Sequence, residues 1–323
     1  MKKALSLLVL LAFLNACDDG NLTQEDISFE DVTTTQSCSD KNIIYKLKDQ
    51  EALIMEIDKT IFPKELTEAN DTINLNITTS TNKVVYRFYN GTVASDNICE
   101  SLAPPTPVIT EQWTAISGTI QIVTSTNKET NTTTNATKIT GYNHNIVLID
   151  VNFKKPDGSE QQYETFRFGN YTSSTTTLPF NFNQSLTKCT SSNDVYEYNT
   201  SEALILTIDP SLIPNEVTPL NTPRTGLIGT STNILTYRLF SNLLTSDYFC
   251  QSTTPTTPAV SELWSGVAGV SGTSGIIEVT TTTNGPNVYK HTVVLKNVSL
   301  QKGLATFNLG SSYTLGELNT TSN

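Results

Sequence analysis

The sequence predicts an all-β protein: two tandem duplicated β-sandwich domains behind an export leader and an acidic tether. Three observations carry that reading. The 323-residue chain matches itself when shifted by 151 positions, its apolar residues alternate with period 2, and four of its five cysteines fall at equivalent places in the two copies.

The self-match runs without a gap for nearly half a repeat. Phe29 lands on Phe180, Cys38 on Cys189 and Tyr45 on Tyr196, while "EALIMEID" (51–58) lands on "EALILTID" (202–209). "STNKVVYRFY" (80–89) falls on "STNILTYRLF" (231–240), and Pro104, Pro107, Glu111 and Trp113 fall on Pro255, Pro258, Glu262 and Trp264. Further on the offset drifts, and "GYNHNIVLIDVNF" (141–153) pairs with "VYKHTVVLKNVSL" (288–300). The length differences gather at 127–138 and 154–162 in the first copy and at 266–275 in the second, where loops belong. Copies of about 140 to 150 residues have the size of ordinary globular domains and are far too long for solenoid turns. The expected units are 27–176 and 177–316, with a C-terminal tail at 317–323.

Alternation identifies strands. Leu53, Met55 and Ile57 share one face, and their counterparts Leu204, Leu206 and Ile208 are apolar too; the other face is mixed, Glu56 giving way to Thr207, as solvent allows. A buried side with period 2 is a half-buried strand. "KVVYRFY", "NILTYRLF", "TIQIVTST" and "IIEVTTTT" repeat the pattern with β-branched and aromatic residues. "PDG" (156–158) and "NGP" (284–286) are turn signals between strands. Short strands over this length argue for a sandwich in each copy, immunoglobulin-like or a small jelly roll. The cysteine spacing and the tryptophan after the second cysteine differ from a true immunoglobulin domain.

At the front, Lys2 and Lys3 precede an apolar run, Ala4 to Leu14, of secretory length and too short to span a bilayer. Leu14, Asn15, Ala16 and Cys17 resemble the lipobox of bacterial lipoproteins, with Asn15 departing from the usual small or β-branched residue. The resemblance implies that 1–16 is a lipoprotein signal peptide and that Cys17 is lipidated. Five cysteines leave one thiol over in an exported chain; with Cys17 acylated, Cys38, Cys99, Cys189 and Cys250 make an even four. Beyond the membrane these are expected as disulfides. The pairing that respects the duplication is Cys38–Cys99 and Cys189–Cys250, each closing a loop worth about 4 kcal/mol in chain entropy.

Asp18 and Asp19 resemble the surface-export signal of Bacteroidota-type lipoproteins, which implies outer-membrane anchoring and display at the cell surface. In other Gram-negative lineages an aspartate there implies inner-membrane retention. Residues 17–26 read as an acidic tether. Six acids and no base between 18 and 37 favour an extended spacer.

The formal charge of the full chain is −11; loss of the leader removes Lys2 and Lys3, leaving 18 bases against 31 acids, a net of −13. That excess repels phosphate backbones and anionic bilayers, so nucleic acid is excluded and membrane contact falls to the lipid.

Candidate sites recur in pairs. Trp113 and Trp264 offer faces for sugar stacking or serve as core residues, and the core is preferred. His144 and His291 are a base, a metal ligand or hydrogen-bonded structural histidines; without Cys or His partners nearby the structural role is preferred. Arg87 and Arg238 sit between aromatics and suit an ion pair (with Asp96/Asp247, Asp58/Asp209 or Glu111/Glu262) or an acidic ligand, the ion pair being preferred. "DTI" (71–73) resembles the O-glycosylation signal of exported Bacteroidota proteins, with Thr72 as acceptor. No nucleophile, phosphate or dinucleotide motif is present, "GVSGTSG" having the wrong spacing and context for a hydrolase elbow. No cofactor is expected.

The expected function is a non-catalytic binding or interaction protein whose partner is a glycan or another envelope protein. A glycan-binding lipoprotein serving polysaccharide uptake is the alternative. A secreted hydrolase ranks last, since paired carboxylates depend on spatial separation that sequence does not show. The divergent loops are the expected place for a partner. Radioactive palmitate fed to expressing cells should label the wild type and leave Cys17→Ser unlabelled; equal labelling would refute the anchor.

Overall fold

The computed structural model describes residues 26–67 and 72–322. The first repeat begins with five short strands: β1 (Gln36–Ser37), β2 (Ile43–Lys48), β3 (Glu51–Glu56), β4 (Ile73–Asn76) and β5 (Lys83–Tyr89). Three long ones follow, β6 (Ile109–Thr130), β7 (Thr137–Lys154) and β8 (Glu160–Ser174). The second repeat starts with β9 (Thr187–Lys188), β10 (Asp194–Asn199), β11 (Glu202–Thr207), β12 (Arg224–Leu227) and β13 (Ile234–Phe240), each bound lying 151 positions after its counterpart. It continues with β14 (Val260–Gly266), β15 (Ile276–Thr283), β16 (Val288–Lys296), β17 (Ser299–Lys302), β18 (Ala305–Asn308) and β19 (Tyr313–Thr321).

The second repeat shows the plan openly. A seven-stranded antiparallel sheet, in the order β18-β17-β14-β13-β11-β10-β9, packs on a four-stranded one, β12-β15-β16-β19. Its core joins Leu204, Leu206, Leu235 and Tyr237 from the first sheet to Ile277, Val279, Val293 and Leu295 from the second. Seven strands against four differs from the four against three of an immunoglobulin domain and from the eight of a jelly roll.

In the first repeat the same two layers are stitched by continuous strands. β6 pairs with β5 up to Thr114 and with β4 from Thr119, its register against β7 slipping in between. What the second repeat builds as β14 and β15, the first builds as one bent strand; β7 and β8 likewise replace β16–β17 and β18–β19. Bulges of this kind let a strand turn a corner and change sheets.

Both expected disulfides are formed, Cys38–Cys99 and Cys189–Cys250, each within one repeat. They also correct the expectation that the second face of β3 and β11 meets solvent. Ala52 and Ile54 are buried there with Tyr45, Tyr89, Val93 and Ile98 beneath the segment that Cys99 ties down. Ala203, Tyr196, Phe240, Leu244, Tyr248 and Phe249 form the matching cluster around Cys189. The cover consists of short helical turns, Asp96–Cys99 and Ser246–Tyr248, which alternation cannot reveal.

One segment assignment also changes. Residues 317–321 are no tail: they are the second half of β19, paired with β16 as far as Thr321, with Leu318 in the core. The leader, Cys17 and all of the tether except Asp26 lie outside the described residues. Asp26 accepts a hydrogen bond from Gln161 Nε2 (3.3 Å).

The third correction concerns 127–138, expected as a free loop. It is the end of the β6–β7 hairpin, and it docks on the second repeat. Ser311 N donates to Thr134 O (2.8 Å) and Asn308 N to Thr137 Oγ1 (2.8 Å). Ile139 packs against the second core. The equivalent Thr–His pair is 20 residues apart around this hairpin but only 10 apart around β15–β16, which is why only the first repeat reaches out. Stretch 266–275 is equally committed. A Cβ on Gly275 (φ +64°) would lie 2.4 Å from Gly269 Cα, so two backbones cross where only glycine fits.

Gly310 (φ +106°) marks the docking contact, since a Cβ there would stand 2.8 Å from Thr134 O of the other repeat. Gly310→Ala should therefore lower stability in urea denaturation by about 1–3 kcal/mol, whereas Gly303→Ala, at a turn with open space around it, should cost less.

Candidate functional site

A cleft of about 670 Å³ opens where the β6–β7 hairpin meets the second repeat. Its walls include Ile139 from the hairpin, Leu178 and Phe180 from the connection, and Trp264, Phe307 and Tyr313 from the second sandwich. Leu178 and Phe180 are half-buried, and Trp264 and Phe307 almost wholly so. The rim is polar, and its charges Lys138 and Glu129 pair with each other at 2.9 Å.

One buried carboxylate holds the floor. Glu202 accepts from Phe180 N (2.9 Å), Asn181 N (2.7 Å) and Tyr237 Oη (2.8 Å). Phe180, with φ +49°, is thereby pinned flat on Tyr237 (4.4 Å, 10°) and edge-on to Phe307 (5.6 Å, 87°). Burial and the Glu202 carboxylate push the Tyr237 hydroxyl well above the usual phenol range, so it stays a donor. Burial likewise raises Tyr313, aided by Glu197 and Glu202. Sequence reasoning passed over Glu202. The available signal was a glutamate opening an apolar strand in both copies, Glu51 and Glu202.

The candidate residues named from the sequence have structural partners in most cases. His144 and His291 are fully buried, each bridging two hydroxyls in the same way. Nδ1 of His144 lies 2.8 Å from Thr124 Oγ1 and Nε2 lies 2.8 Å from Ser173 Oγ. His291 repeats this with Thr281 and Thr320, also at 2.8 Å. Burial holds both rings down to about pH 4, so they are neutral at physiological pH, one ring nitrogen donating and the other accepting.

The tryptophans are core residues, with relative exposures of 1% and 3%. Trp113 Nε1 donates to Glu111 Oε1 (2.6 Å) and Lys155 Nζ sits over its ring at 4.0 Å. In the second repeat the equivalent Glu262 accepts instead from Lys302 Nζ (2.7 Å), and Trp264 Nε1 is buried with no partner among the described residues.

The arginines do not form the expected ion pairs. Arg87 Nε donates to Gln112 Oε1 (2.9 Å), its cross-strand neighbour, while Arg238 faces Leu263 and its Nε has no partner among the described residues. Four of the carboxylates offered for them are otherwise engaged, Asp58 and Asp209 capping short helical turns, Glu111 accepting from Trp113 and Glu262 from Lys302. Thr72 is half-buried; its Oγ1 accepts from Asn74 Nδ2 (3.1 Å) and Gln121 Nε2 (3.4 Å). Asp71 of that motif lies outside the described residues.

Among the described residues no three His, Cys, Asp or Glu side chains group as metal ligands, and no helix is long and apolar enough to cross a membrane. The cleft is built to surround an apolar or flat group while polar atoms at its rim set orientation. The chain matches no known protein-family model, no curated protein and no solved structure.

Two predictions follow from these geometries. The unfolded histidines titrate at 6.5 and the folded ones at about 4, so stability is level above pH 6.5 and falls as pH drops towards 4. The loss should reach about 3 kcal/mol per histidine; urea titrations across this range should show it, and His144→Asn should remove about half of the histidine-linked dependence. Trp113→Phe should cost about 1 kcal/mol more than Trp264→Phe, because only the first removes a made hydrogen bond.

Proposed function

We propose that the protein is an exported, lipid-anchored, non-catalytic binding protein that takes its ligand in the cleft between its two sandwiches. The observation that carries this reading is the joint construction of the cleft. Neither repeat encloses it alone, and its volume falls within the roughly 300–1,000 Å³ of small-ligand sites. Aromatic walls braced by Glu202 supply a preformed surface, which lowers the ordering cost of binding.

Export is supported by the two intramolecular disulfides together with the fifth cysteine, Cys17, at the foot of an apolar leader. Anchoring through a lipid on Cys17 and display at the outer-membrane surface rest on the resemblance to Bacteroidota-type lipoproteins. The partner is an envelope protein or a glycan. A role in polysaccharide uptake is the second reading, and it loses the support of tryptophan stacking because Trp113 and Trp264 are both buried.

The test uses the mature chain carrying Cys17→Ser, screened on glycan and peptide arrays, with binders confirmed by titration calorimetry. Leu178→Asp in the cleft should weaken a true cleft ligand by about tenfold or more, while Leu102→Asp, at an exposed site, should not. Binding untouched by Leu178→Asp would move the site elsewhere, and turnover of an arrayed glycan would replace the binding reading with a hydrolase.

A further inference from the structure

A second recess, separate from the cleft, lies on the outer face of the first sheet of repeat 2, and its history can be read from repeat 1. The face carries Tyr196 on β10, Ile205 and Thr207 on β11, and Ile234, Thr236 and Arg238 on β13, under the cover that ends at Cys250. Its volume is about 630 Å³. The equivalent face of repeat 1 carries Ile54, Glu56, Lys83, Val85 and Arg87, and only about 180 Å³ is left there.

Three exchanges set the two faces apart. Glu56 and Lys83 form an ion pair (3.1 Å) across the floor of the first recess; their counterparts Thr207 and Ile234 are shorter or apolar and leave the space open. Gln112, which takes up Arg87 Nε, becomes Leu263 opposite Arg238. The arginine itself is kept, in the same strand and register, and its Nε has no hydrogen-bond partner among the described residues. Its Nε–H is shielded from solvent, so this cationic donor has given up its water without gaining an acceptor in exchange. The one carboxylate on this face, Asp194, is occupied by the hydroxyls of Thr207 (2.6 Å) and Ser192 (2.9 Å). One wall is aromatic, Phe249 stacking on Tyr196 at 4.2 Å and 13° with Tyr248 beside it, while Ser191, Gln251, Ser252 and Thr254 make the opposite rim polar.

We propose that this recess binds a small carboxylate with a flat apolar body, an aryl carboxylate, the carboxylate meeting the Arg238 guanidinium and the ring lying against Tyr196, Phe249 and Ile234. An arginine edge matches a carboxylate in two parallel hydrogen bonds, and desolvation by the aromatic wall strengthens them. Repeat 1, with its ion pair in place and Arg87 occupied, is the built-in non-binding control.

The test is a titration of the ¹⁵N-labelled full-length mature chain with benzoate, observing the Nε–H resonances of its four arginines. Benzamide, which has the same shape without the charge, is the control ligand. The Arg238 resonance should move saturably with benzoate, at least tenfold more weakly with benzamide, and the Arg87 resonance should stay in place. Arg238→Gln should abolish binding. The triple change Thr207→Glu, Ile234→Lys and Leu263→Gln imports side chains that repeat 1 already carries at these positions, so it should fold, and it should abolish binding by closing the recess. A response at Arg238 that never saturates, equal responses to benzoate and benzamide, or undiminished binding in the triple variant would each overturn the proposal. Leu178→Asp should leave this titration unchanged, so failure here is distinct from failure of the cleft.

Discussion

Everything in this molecule depends on one sheet in each repeat being buried on both of its faces. β3 and β11 are enclosed by the four-stranded layer on one side and by a disulfide-tied cover on the other. Ala52, Leu53, Met55 and their counterparts Ala203, Leu204 and Leu206 are each exposed by 1% or less. Two-sided burial removes most freedom to choose a polar residue and explains why "EALIMEID" and "EALILTID" remain so alike. It also makes the cysteines indispensable to the architecture. Without the Cys38–Cys99 link, a short turn of few apolar contacts would have to hold itself over Tyr45 and Ile54.

Within that frame the two copies answer the same local demand with different chemistry. Position 46 is a buried lysine and its equivalent, 197, a buried glutamate. Lys46 Nζ donates to Phe29 O (2.9 Å), and Glu197 Oε1 accepts from Ser185 N (3.3 Å), so both capture the backbone of the segment leading into the sandwich. Burial presses Lys46 down to about 8 and pushes Glu197 up. Opposite charges thus perform one mechanical task. The same drift occurs at Glu111/Glu262 and Gln112/Leu263, where a strand pair is kept and its side-chain partners are re-dealt.

Much of the fold was legible in the residues, and the illegible parts have physical causes. Alternation in both copies located β3, β5, β11 and β13, and the 151-residue offset gave the disulfides, because both cysteines of a pair fall within one copy. The structural roles of His144 and His291 were readable from their alternation with apolar neighbours, and those of Trp113 and Trp264 from their matching positions after a proline-rich connection. Contacts between elements far apart in sequence were not. No local pattern says that Glu111 caps a tryptophan while Glu262 turns to Lys302, that Glu202 gathers three donors, or that Arg87 and Arg238 face a glutamine and a leucine. The hairpin at 127–138 misled for a related reason. Its Thr- and Asn-rich residues look solvated, and they are, except along the single edge that touches the second repeat.

That hairpin gives the tandem a direction. The first repeat owns the arm and the second owns the landing surface of Phe307, Asn308 and Leu309, whereas the β15–β16 turn closes within residues 284–287. A further copy appended after the second would find no arm extended towards it. The asymmetry is written into loop length: the longer hairpin spends its extra residues on a neighbour, and the shorter one turns back within its own sandwich.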